Sequence, residues 1–149
     1  MIATGYAGYK NVMSHTTENK EEILLMLFEG ALISLRIARR GIREKNPKLK
    51  GEKISKVLAI LTELDCALDR ERGGDLAEKI AAMYGYMMNR LTTANIKNDP
   101  EALKEVEQLL GQLYEGFKGA AVQMAGGLVH AENNEPEMMR GMSIAIWDT

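Results

Sequence analysis

Apolar residues recur along this chain with a helical period rather than a strand period. Ile23, Leu24, Leu27, Phe28, Ala31, Leu32, Leu35, Ala38 and Ile42 keep the i, i+3, i+4 rhythm that puts side chains on one side of a helix. Asn19 stands where an N-cap is needed, and Glu22 follows at capping-box spacing. Glu21 and Glu22 near the start, with Arg36, Arg39, Arg40 and Arg43 near the end, follow the helix dipole. Leu25, Met26, Ile33 and Ile37 widen the stripe beyond one face. A helix apolar on most of its girth has to be covered on more than one side, so this one is expected to be central or to contribute to a partner surface.

Lys45 to Gly51, with Asn46-Pro47 inside, reads as a turn, and a second helix is expected from about Glu52 to Arg70. Its stripe is Ile54, Val57, Leu58, Leu61, Leu64, Ala67 and Leu68, with Ile60 off the stripe and read as exposed or groove-facing. Gly73-Gly74 offers the left-handed residue that ends helices at little cost. Asp75 then reads as the cap of a third helix, with Glu78 completing a second box. That helix carries Leu76, Ile80, Met83, Tyr84, Met87 and Leu91 on its stripe. Tyr84 and Tyr86 with Met83, Met87 and Met88 suggest a soft face suited to apolar helices, although core filling explains Met83 and Met87 as well. Asp99 caps a fourth helix with Pro100 at its first position. Leu103, Val106, Leu110, Leu113, Phe117, Ala120 and Met124 form its stripe. Gly111, Gly116 and Gly119 each weaken it by about 1 kcal/mol against alanine, which suggests close approach of another backbone or a helix that loosens. Four helices on short turns predict an all-α, antiparallel up-down-up-down bundle.

The segments outside the bundle have their own character. Residues 1–18 form an N-terminal arm in which Tyr6, Tyr9 and Val12 recur at helical spacing; it is either a frayed terminus or an arm that folds back on an apolar groove. Residues 19–126 are the expected bundle and 127–149 a tail, in a single domain. The tail joins a polar turn, Glu132 to Pro136, to Met138, Met139, Met142 and the run Ile144-Ala145-Ile146-Trp147, which carries the only tryptophan. That much apolar surface is unusual for a disordered tail, and docking on its own bundle or on a neighbouring copy is expected.

Composition narrows the chemistry. A net charge of −2 over 149 residues leaves no basic footprint for nucleic acid. No apolar run approaches the roughly 20 residues of a membrane span, and the first residues lack the pattern of a signal peptide. The single cysteine, Cys66, permits no internal disulfide and reads as a buried structural thiol. Cytoplasm is the expected compartment. His15 and His130 lie outside the helix cores and neither ends a Glu-x-x-His pair, so a di-metal site of the bundle type is not expected. No nucleotide-loop or nucleophile-elbow pattern occurs. No enzyme, cofactor or metal is predicted; over-wide apolar helices, a tyrosine arm and ten methionines favour a groove that captures an amphipathic segment.

Several pieces in order resemble the flagellin export chaperones, the FliS family. They are Tyr6-x-x-Tyr9, the run Glu21 to Leu32, Ile60-Leu61-Thr62-Glu63-Leu64 and Leu68-Asp69 before Gly73-Gly74. Tyr84-Gly85-Tyr86-Met87, Leu91 and Ala94-Asn95-Ile96-Lys97-Asn98-Asp99 follow. The resemblance spans about Tyr6 to Met124 and not the tail. It implies a helical bundle that binds the disordered C-terminal segment of flagellin in the cytoplasm, prevents premature polymerisation and aids delivery to the export apparatus. It also leaves room for other flagellar export or regulatory partners. Carried over, Tyr6 and Tyr9 match the arm that covers a groove without client. Leu61, Leu64, Leu68, Tyr84, Met87 and Leu91 match positions that line or support it, and Asn95 matches an amide facing client backbone. Phe117 stands where many relatives carry tryptophan. The tail, as an internal mimic of the client or a self-association element, has no counterpart. The alternative reading is an adaptor bundle for another amphipathic helical partner.

Overall fold

The computed structural model describes residues 20–126, with side chains through residue 120. Four helices follow one another: α1 (Lys20–Arg43), α2 (Pro47–Ala67), α3 (Arg70–Lys97) and α4 (Pro100–Gly126). Each packs on its neighbours in sequence, and α4 closes the ring against α1. This is the expected all-α bundle. Glu21 and Glu22 in the first turn of α1 and Arg40 and Arg43 in the last complement its dipole. Asn19, the expected cap, lies outside the described residues.

Two boundaries differ from expectation, for reasons of capping. α2 starts at Pro47 rather than Glu52, because the Asn46 side chain accepts a 3.1 Å hydrogen bond from the Leu49 N–H. Proline at the first position has no N–H to lose there. The break between α2 and α3 falls at Leu68, which is extended, and Asp69 caps α3 by accepting from the Arg72 N–H at 3.1 Å. Gly73-Gly74 therefore does not end α2. Gly74 instead kinks the start of α3 at φ 53°, ψ −133°, a conformation open to glycine almost alone. At the other end Asn98 closes α3 in the left-handed region, and Asp99 accepts from the Glu101 N–H at 3.0 Å to open α4, as expected.

The core runs the length of the ring. Phe28 lies at its centre, with its ring centroid 5.1 Å from that of Phe117 and 6.3 Å from that of Tyr114, within the usual range for tilted aromatic pairs. Ile60 is buried, contrary to the exposed or groove-facing role expected of it, and its Cδ1 lies against Gly30. The α1–α2 seam is closest at Gly41, where an added Cβ would come within 2.9 Å of the Lys50 backbone nitrogen. Cys66 is exposed rather than buried.

Candidate functional site

The six apolar positions expected to line or support a groove are core residues. Leu61, Leu64, Tyr84, Met87 and Leu91 are fully buried, and Leu68 nearly so. α2 and α3 bring them together because both stripes have the same period and the two helices pack on each other. In this arrangement they support the bundle surface from beneath. The soft face expected on α3 is correspondingly thinner: Tyr84 and Met87 are core, Met83 and Met88 are half-buried, and Tyr86 is exposed. Tyr6 and Tyr9 lie outside the described residues.

Tyr84 has an unusual polar feature. Its hydroxyl is buried and has no hydrogen-bond partner among the described residues, and burial, aided by the negative charge of Asp65, pushes its pKa far above the ordinary phenol value. An unpaired buried hydroxyl costs about 1–3 kcal/mol.

Asn95 is exposed on the last turn of α3, next to Ile96, an isoleucine left 75% exposed. Its main chain is held from inside. The Lys50 ammonium, itself buried, donates to the Asn95 carbonyl at 2.9 Å and to Asn98 Oδ1 at 2.6 Å. Lysine at this point completes the C-terminal carbonyls that a helix leaves open. The sequence carried a signal for it, because Lys50 precedes Ile54, Val57, Leu61 and Leu64 at stripe spacing.

An open concave surface lies between α1 and α4. It is a groove of about 1050 Å³. Leu32 of α1 and Gly111 of α4 face it at mid-length, and a Cβ added to Gly111 would meet nothing within 4 Å. At one end the Tyr114 hydroxyl donates to Glu29 at 2.7 Å, and this hydrogen bond is the main reason its pKa is raised. At the other end Glu107 holds Arg36 at 3.0 Å and Arg39 at 2.8 Å. Outside the groove, Met26 and Ile33 stand 49% and 54% exposed on α1. They belong to the widened stripe that anticipated a partner surface. On α3, Tyr86 donates to Glu105 at 2.6 Å, a hydrogen bond that raises the Tyr86 pKa, and Arg90 pairs with the same carboxylate at 2.9 Å.

This geometry suits recognition of an apolar segment rather than reaction chemistry. Met26, Ile33 and Ile96 stand exposed outside the core, and exposed apolar side chains are what an amphipathic helix covers when it docks. Among the described residues no three His, Cys, Asp or Glu side chains converge as metal ligands, and none of the helices is long and apolar enough to cross a membrane. Sequence reading missed the groove lining at Leu32, Gln108 and Gln112, although Gly111 had marked the place.

Comparison with known proteins agrees in kind. Residues 2–124 match the family described as flagellar protein FliS. The chain is 35% identical to the flagellar secretion chaperone FliS of Salmonella typhimurium over 120 residues, 78% of this chain and 89% of that protein. It is 35% identical to the protein of the same name from Bacillus subtilis, over 80% of this chain and 87% of the relative. It is 38% identical to the flagellar secretion chaperone FliSB of Pseudomonas aeruginosa, over 68% of this chain and 80% of the relative. These are chaperones and not enzymes. With a four-helix bundle that leaves apolar side chains outside its core and a match over most of its length, the chain belongs to the FliS family of flagellar proteins.

Proposed function

We propose that this chain is a cytoplasmic export chaperone that binds the disordered C-terminal segment of flagellin, keeps it from polymerising early and hands it to the flagellar secretion apparatus. The observation that carries this reading is the family match over residues 2–124, with relatives described as flagellar secretion chaperones. The structure supplies a compatible surface. Met26 and Ile33 on α1 and Ile96 beside Asn95 on α3 are exposed apolar groups on a bundle whose core is otherwise closed. A client that is disordered when free gains helix on such a surface and buries its apolar face there. Leu61, Leu64, Leu68, Tyr84, Met87 and Leu91 shape the surface from beneath, Asn95 offers its amide to client backbone, and Tyr6 and Tyr9 cover the site when no client is bound.

Isothermal titration with a flagellin C-terminal peptide tests the proposal. Expected are a dissociation constant of about a micromolar or tighter, a negative heat-capacity change and a gain of peptide helicity. Absence of heat together with an unchanged circular dichroism spectrum overturns it.

A further inference from the structure

Two features of this protein remain unaccounted for by client binding, and they are complementary. The first is Gly111, a glycine in mid-helix with open space where its side chain would be, at the middle of the α1–α4 groove. Alanine there would strengthen the helix, so the missing side chain is not explained by the packing of the bundle. The second is Ile144-Ala145-Ile146-Trp147-Asp148, an apolar run with the single tryptophan followed by a carboxylate.

We infer that the α1–α4 groove is the docking site of the chain's own tail, with the Trp147 indole seated over Gly111 between Leu32 and Tyr114. Reach permits it. From Gly126 back to Gly111, α4 spans about 22 Å at 1.5 Å per residue. After a reversal at residues 133–136, the ten residues 137–146 cover about 33 Å when extended, more than that span. The turn chemistry of Asn133-Asn134-Glu135-Pro136 lies in the part of the tail that has to reverse direction. Charge favours this direction of entry: continuing past Gly111 toward the N-terminal end of α4, Asp148 meets Lys104 and the Arg36–Arg39 end of the groove. The indole covers Leu32 and the Tyr114 ring, and its N–H finds acceptors among the amide oxygens of Gln108 and Gln112, which line the same groove.

The test needs no flagellin and is therefore separable from the client reading. Trp147 is the only tryptophan, so its emission in the full chain reports its surroundings directly. The docked tail predicts emission blue-shifted from that of the urea-unfolded protein, with acrylamide quenching reduced severalfold. Gly111→Arg fills the notch with a residue that favours helix, and it should red-shift the emission and restore quenching while helicity is kept. Gly85→Arg, at an exposed glycine of α3 that also faces open space, should leave emission unchanged. A freely quenched Trp147 in the parent protein overturns the inference, as does a shielded one indifferent to Gly111→Arg. Shielding that grows with protein concentration alongside a doubling of mass assigns the tail to a second copy and overturns it equally.

Discussion

The Lys50 ammonium donates to the Asn95 carbonyl at 2.9 Å from within the bundle, so the N-terminal turn of α2 terminates the far end of α3. Its second acceptor, Asn98 Oδ1 at 2.6 Å, belongs to the residue that turns left-handed to end that helix. Lys50→Met keeps much of the stem and removes both bonds. A loss of about 1.5–3 kcal/mol is expected, read by urea unfolding. Faster amide exchange should appear at Asn98 and Asp99, whose N–H groups bond to the Ala94 carbonyl. If client binding uses Asn95, Lys50→Met and Asn95→Ala should also be non-additive in peptide affinity.

Tyr84 carries a hydroxyl that the core does not satisfy. Tyr84→Phe removes the unpaired group and keeps the ring, and it should stabilise the protein by on the order of 1 kcal/mol. A higher urea midpoint at unchanged m-value is the expected result; a lower midpoint would mean that the hydroxyl has a partner in solution.

The same residue sets a direction for alkaline pH. Its phenol holds its proton well above the ordinary value in the folded state, whereas the unfolded chain releases it near about pH 10. The native state thus binds more protons above that pH, and stability present below about pH 10 falls as pH rises beyond it. Tyr86 and Tyr114, raised by their hydrogen bonds to Glu105 and Glu29, act in the same sense, with less weight because they are exposed to solvent. In an absorbance titration of tyrosinate, one phenol should ionise only together with the loss of helical ellipticity, and Tyr84→Phe should remove that step.

Two glycines should respond oppositely to alanine. Gly85→Ala adds a methyl to open space at an exposed position of α3 and should raise stability by about 1 kcal/mol. Gly41→Ala places a methyl within 2.9 Å of Lys50 backbone nitrogen, where neither helix can give way cheaply, and should cost about 1–3 kcal/mol. Thermal melts of the two variants side by side decide this.

Gly74→Ala imposes a side chain at φ 53°, ψ −133° and should cost about 1–3 kcal/mol of strain. Because the residue is exposed and its Cβ meets nothing, the damage should stay local, with faster amide exchange at the start of α3 and little change in the rest of the bundle.

The four helices, their order and the antiparallel ring were legible in the amino-acid pattern. Those follow from a 3.6-residue apolar period and short turns, both local properties. It also marked the fourth helix's cap at Asp99-Pro100 and the excess apolar width of α1, which emerged as exposed Met26 and Ile33. What it did not resolve was competition between neighbouring signals. Asn46, Asp69 and Asp75 are all acceptable caps on composition, and the chain used the first two because their oxygens reach the Leu49 and Arg72 amides. Nor does periodicity say how far a stripe is covered. Tyr84 and Met87 became core, and Tyr86 stayed outside, because helix azimuth is set by which neighbours pack against it. Lys50 shows the limit most clearly. A lysine on an apolar stripe reads as a misfit until the end of α3, 45 residues further along the chain, supplies the two oxygens that hold its charge.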